Sequence, residues 1–178
     1  GTQIASPRGT EPVAYAAPMP SDAAVAADPE RFMRLAIDAA RAAEAAGDLP
    51  IGAVAVRDGD VIATAGNRRA IDQDPTAHAE LLVLREAAAV VGEWRLGEVT
   101  VVITLEPCPM CAGAMWASRI GGVVFGAVDM KAGATGSLYH LGSDPRLNHE
   151  FPTRAGVLGE ECASLLTTFF ASRRTTEI

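Results

Sequence analysis

The sequence predicts a three-layer α/β/α sandwich around a central mixed sheet of about five strands. Three observations lead there. The hydrophobic pattern changes type along the chain, giving helix, two strands, helix, strand, helix, strand and a closing helix. Two of the strands flank Asp58-Gly59, a turn pair that makes an antiparallel hairpin. A later strand returns through a helix to another strand, which suggests a parallel pair with a right-handed crossover.

The first helix should begin at Asp28-Pro29-Glu30, where a capping aspartate, a proline at the first helical position and an acid in the first turn coincide. Phe32, Leu35, Ala36, Ala39 and Ala43 recur at helical spacing, and Gly47 ends the helix. Residues 51–56 and 61–65 form the hairpin strands. A helix follows from about Pro75 to Val91, closed by Gly92, and then a β-branched strand over 99–105. A helix over 109–118 leads to a short strand at 123–125, and the last helix runs over about 160–174. Residues 127–150 form a long, Gly-containing stretch without a periodic pattern, a length that in a compact domain points to function or disorder.

Residues 1–27, rich in Ala, Pro, Ser and Thr, are expected to be a flexible extension, and residues 28–178 one domain. Hydrophobic residues make up 49% of the chain but aromatics only 5%, so packing must rely on close helix–sheet approach. No run approaches the roughly 18 apolar residues of a membrane span, and no secretion signal is read at the N-terminus, so the expected compartment is the cytoplasm. The net charge of −7 excludes a broad nucleic-acid-binding surface, and any RNA must be met by a local patch. Three cysteines, two of them in one C-x-x-C, argue against a disulfide framework and for metal or redox chemistry. Cys162 reads as a buried structural thiol.

Two short motifs carry the chemistry: His78-Ala79-Glu80, and Pro107-Cys108-Pro109-Met110-Cys111. Pro109 suits the first position of a helix, which makes Cys108 its cap and sets Cys111 one turn along the same face. The helix N-terminus favours the thiolates that zinc requires. His78 falls in the first turn of its own helix, whether Asp74 or Thr76 is the cap. Two such termini side by side would bring one imidazole and two thiolates to a single Zn2+, leaving a fourth position for water, as in catalytic zinc. Glu80, two residues beyond the ligand, can take a proton from that water and pass it on. The alternatives are a redox dithiol, or a structural zinc completed by Cys162, His140 or His149.

The segments Asp74–Glu80 and Thr104–Met115 resemble the bacterial tRNA-specific adenosine deaminases, members of the cytidine and deoxycytidylate deaminase superfamily. The likeness continues through Ser118–Gly121, Val123–Gly126, Gly136–Leu138, Leu147–His149 and Glu161–Ala163, covering roughly residues 30–174. It implies a cytidine deaminase-like fold, one zinc per subunit, a homodimer with Ala112-Gly113-Ala114 near its interface, and a tRNA anticodon stem-loop as partner. The implied reaction turns adenosine to inosine at the wobble position, by zinc-activated hydroxide with Glu80 as proton shuttle. The resemblance further implies that Asn67 bonds the target nucleoside and the Ala79 amide helps recognise the base. Asp129 and Lys131 would lie along the RNA path, Asn148 and His149 would meet flanking nucleotides, and Phe170 would shape that surface. Ala132 departs from the family, which often carries a hydroxyl residue there, and the tail over 173–178 is shorter and less basic. A deaminase of a free base or nucleoside, of guanine or cytidine type, shares the metal core. So would a zinc-stabilised RNA-binding scaffold without catalysis.

Overall fold

The computed structural model describes residues 21–176. It begins with a short helix, α1 (Ala23–Ala27), capped by Asp22, whose carboxylate accepts from Ala24 N at 2.9 Å and Val25 N at 3.1 Å. The second Asp22 oxygen accepts from Gly59 N at 3.0 Å, and Val25 is fully buried. One buried carboxylate satisfying three backbone donors ties this segment to the body of the domain. The flexible extension expected over 1–27 is therefore corrected at its end, while residues 1–20 lie outside the described residues.

Helix α2 (Pro29–Ala45) starts as its residues dictate, with Asp28 accepting from Arg31 N at 3.1 Å and Pro29 in the first turn. It buries Phe32, Met33, Ala36, Ile37 and Ala40. Leu35, expected in that stripe, is 39% exposed, because the buried face is centred on Met33 and Ile37 instead.

Strands β1 (Gly52–Arg57) and β2 (Asp60–Gly66) form the antiparallel hairpin, with Asp58 and Gly59 both at positive φ as a type I′ turn requires. Strand β3 (Thr100–Leu105) pairs antiparallel with β1, and β4 (Gly122–Ala127) pairs parallel with β3. A two-residue strand, β5 (Thr153–Arg154), pairs parallel with β4, giving the order β2-β1-β3-β4-β5. The expected mixed, five-stranded sheet is observed.

Alternation along the strands sorts two cores. Val54, Val56, Val102 and Val124 face α1, α2 and the last helix, α5 (Gly159–Thr176). Ala53, Ala55, Val101, Ile103, Val123 and Phe125 face α3 (Ala79–Val91) and α4 (Pro109–Ala117). Small residues set the spacing of the layers. A Cβ on Gly52 would stand 2.1 Å from Ala36 O and 2.4 Å from Ala40 N, so the α2 backbone lies directly on β1. The strands β2, β3 and β4 all end at one edge of the sheet, where Gly66 pairs with Gly52, Gly52 N donates to Thr104 Oγ1 at 3.1 Å, and Leu105 pairs with Ala127. Open α/β sheets bind ligands beyond such carboxyl ends.

Gly52→Ala should destabilise the domain at the upper end of the about 1–3 kcal/mol range for overpacking, since backbone atoms must move. Urea denaturation with an unchanged slope would measure it.

Candidate active site

Beyond β2 the chain folds back on itself before α3. Arg68 N donates to Ala77 O at 2.9 Å, and the Asp74 carboxylate accepts from Thr76 N at 2.8 Å and Thr76 Oγ1 at 2.7 Å. With the Ala77 carbonyl engaged, the first bond of α3 is Leu82 N to His78 O at 3.1 Å. Helix α3 thus begins four residues after Pro75, and His78 is its N-cap rather than a first-turn residue. Cys108 is the N-cap of α4, with Pro109 next and Cys111 one turn along, as expected. Both caps have extended backbones, and neither side chain makes the usual capping hydrogen bond. A cap side chain ordinarily bonds a backbone amide of its first turn; these two converge with Cys111 instead.

Cys108 Sγ lies 3.6 Å from Cys111 Sγ and 3.8 Å from His78 Nδ1, and Cys111 Sγ lies 3.5 Å from His78 Nδ1. Bonds of about 2.3 Å to sulfur and about 2.0–2.1 Å to nitrogen in a tetrahedron require S···S of about 3.8 Å and S···N of about 3.6 Å. The triangle fits zinc. Among the described residues these three form the one metal-holding group of His, Cys, Asp and Glu. His149 bonds Ile120 O at 3.0 Å, and Cys162 packs beneath Gly126 on the α2 side of the sheet. Neither completes a closed shell, and His140 stands exposed outside the group.

The cluster's protons are unevenly shared. A hydrogen bond with Cys111, aided by His78, pulls the Cys108 thiol down to about 4, and the same bond raises Cys111. The bond to Cys108 raises His78. Zinc takes thiolates and neutral imidazole, so loading it displaces these protons. Glu80 stands in the first turn of α3, buried beside Cys111. Burial pushes its carboxyl up to about 7, against the pull of its own amide and of His78.

Asn67, at the end of β2, is 2% exposed and donates from Nδ2 to Asp48 Oδ1 at 2.6 Å. Asp48, to which the sequence reading assigned no role, also accepts from Leu49 N at 2.8 Å, Ala70 N at 2.6 Å and Ile71 N at 3.1 Å. Burial opposes its ionisation, yet the bonds from Asn67 and the three amides outweigh it and hold the carboxyl below the usual range. One acid therefore fixes both the Asn67 side chain and the turn that follows it.

Residues 26–127 match the cytidine and deoxycytidylate deaminase zinc-binding region. The chain is 49% identical over 145 residues to a tRNA-specific adenosine deaminase of Bacillus subtilis (strain 168), covering 82% of this chain and 90% of that one. The chain belongs to the tRNA-specific adenosine deaminase family. A solved structure from work on A-to-I editing by tRNA:A34 deaminases at the wobble position superposes with a TM-score of 0.73, at 43% identity over 76% of this chain and 99% of that one. A guanine deaminase from Bacillus subtilis is more distant, with a TM-score of 0.54 at 32% identity over 61% of this chain and 80% of that one.

The remaining residues implied by the family spread outward from the metal cluster in this deaminase. Ala79 is buried at the first position of α3. Asp129 and Lys131 lie beyond the end of β4, and Asp129 Oδ1 accepts from Lys131 N at 2.9 Å and Ala132 N at 3.2 Å, shaping the turn. The Asp129 amide donates to Glu106, a second buried acid without an assigned role. Asn148 and His149 are not brought to the cluster. Arg119 donates to Asn148 O at 2.9 Å and Oδ1 at 3.0 Å, at the far end of α4, which at nine residues spans about 13 Å. Phe170 is half exposed on α5, edge-on to the buried Phe169.

The raised Glu80 carboxyl links stability to pH. The folded value of about 7 exceeds the reference of 4.5, so between these pH values the unfolded chain releases its proton first and stability falls as pH rises. In metal-free protein, Glu80→Gln should therefore be more stable than the wild type above pH 7, on the order of 3 kcal/mol, with the gain vanishing toward pH 4.5. Denaturant titrations of both proteins at pH 4.5 and 8 measure it.

Proposed function

We propose that this deaminase hydrolyses adenosine to inosine and ammonia at the wobble position of a tRNA anticodon stem-loop, with one zinc per chain. The observation that carries the chemistry is the three-donor cluster with a buried carboxyl beside it. Zinc bound there would supply Lewis acidity and bring the pKa of water to about 7. Glu80, buried beside the cluster, takes one proton from water as the water oxygen bonds to C6 and delivers it to the purine N1. It then takes the second proton from the new C6 hydroxyl and delivers it to the amine as the C6–N bond breaks. The adenosine becomes inosine, and the exocyclic nitrogen leaves as ammonia.

Asn67, oriented through Asp48, is proposed to bond the nucleoside, and the Ala79 amide to recognise the base. Asp129 and Lys131 border the RNA path. Asn148 and His149, about one helix length away, suit nucleotides flanking the target, with Phe170 on the adjoining surface. A base in a splayed loop reaches such a pocket without opening a duplex, so the net charge of −7 need be overcome only locally. The choice of tRNA over a free base is supported by relatives that match well beyond the metal core. The outer face of α3 and α4, where Leu81, Trp94 and Ala114 border a shallow apolar hollow, is proposed as the homodimer contact. No helix among the described residues is long and apolar enough to cross a membrane. We assign the protein to the cytoplasm, where tRNA is met.

Incubated with tRNA transcripts, the zinc-loaded protein should form inosine at the wobble position, read by sequencing. Release of ammonia from free guanine without inosine in tRNA would overturn the substrate. Glu80→Ala should keep its zinc and lose about 10²–10⁴-fold in turnover. Normal deamination by that variant would remove Glu80 from the mechanism.

A further inference from the structure

Glu106 follows directly on β3, and its amide continues the pairing with β4 by donating to Ala127 O at 2.8 Å. It lies two residues before the metal-facing Cys108. Its carboxylate, 1% exposed, does no chemistry in the mechanism above, yet it gathers four donors from a single loop. Oε2 accepts from Asp129 N at 3.1 Å and from Ser137 Oγ, and Oε1 accepts from Thr135 N at 3.2 Å and Ser137 N at 2.9 Å. A carboxylate has about four acceptor sites, so this one is saturated. The loop is pulled in tightly. A Cβ on Gly133 would stand 2.3 Å from Oε2 and 2.5 Å from Asp129 O, leaving room for glycine alone. A further bond, Ala134 N to Pro107 O at 2.8 Å, fastens the same loop to the residue beside Cys108.

The outer side of this loop carries Met130, Lys131, Leu138 and Tyr139, all exposed. One cation with flexible apolar and aromatic side chains is a surface on which unstacked bases and their phosphates can rest. We infer that Glu106 is a positioning residue for RNA: its carboxylate folds the 129–137 segment into a fixed platform beside the metal cluster. This rests on the reading of the chain as an RNA deaminase. Glu106 touches neither substrate nor metal and acts through the backbone it holds.

The test is Glu106→Gln, which keeps the shape but turns an amide NH2 toward the loop donors, assayed on an anticodon stem-loop with the zinc-loaded wild type alongside. KM should rise about tenfold or more while kcat falls no more than about threefold, with zinc content unchanged. Ser137→Ala, which removes the hydroxyl donor but leaves the amide bond, should raise KM about threefold with zinc content and Tm unchanged. An unaltered KM in Ser137→Ala overturns the inference even if Glu106→Gln does not fold. Loss of zinc together with kcat in Glu106→Gln also overturns it, by making Glu106 a support for the metal turn instead. If the wild type forms no inosine at all, the proposed function fails, an outcome separate from either variant result.

Discussion

The site depends on two helices beginning side by side with cap side chains that make no capping hydrogen bond. His78 and Cys108 occupy positions where a serine or aspartate would ordinarily bond its own helix. Freed from that role, they converge with Cys111 at sulfur and nitrogen spacings that match a zinc tetrahedron. Both helices point their positive ends at the cluster, which favours thiolate ligands and an anionic water-derived nucleophile. The sheet makes this meeting possible, because β2 and β3 end at one edge and deliver both helix starts to the same place.

Three acids buried around the cluster show how local donors divide the work. Asp48 collects an amide side chain and three backbone N–H groups, which keep it ionised despite burial. Glu106 is saturated by the loop it holds. Glu80 has no comparable set of donors, and burial lifts it to about 7. Satisfied acids fix the walls. The undersupplied one can exchange a proton near neutral pH.

The His78, Cys108 and Cys111 cluster was legible in the sequence because its information is local: an i, i+3 cysteine pair, a proline at the first helical position, and a histidine at a helix start. The hairpin and the start of α2 were legible for the same reason, since Asp58-Gly59 and Asp28-Pro29 act on their immediate neighbours. What could not be read was decided at a distance. The onset of α3 moved from Pro75 to Ala79 because Arg68 occupies the Ala77 carbonyl. Strand β5 has two residues and no hydrophobic pattern, and exists because Pro152 and its successors meet the free edge of β4. The roles of Asp48 and Glu106 depend on donors about 20 to 30 residues away, which no spacing rule marks. The location of Asn148 and His149 was not legible either: bonds from Arg119 to Asn148 and the His149 bond with Ile120 O set them at the far end of α4.

Zinc bound at this cluster should have three protein ligands and one position open to water. X-ray absorption at the zinc edge of the loaded protein measures it most directly. The spectrum should show two sulfurs at about 2.3 Å and two lighter atoms at about 2.0–2.1 Å, one from His78 and one from water. A shell of three or four sulfurs, or one that excludes a solvent oxygen, would contradict it.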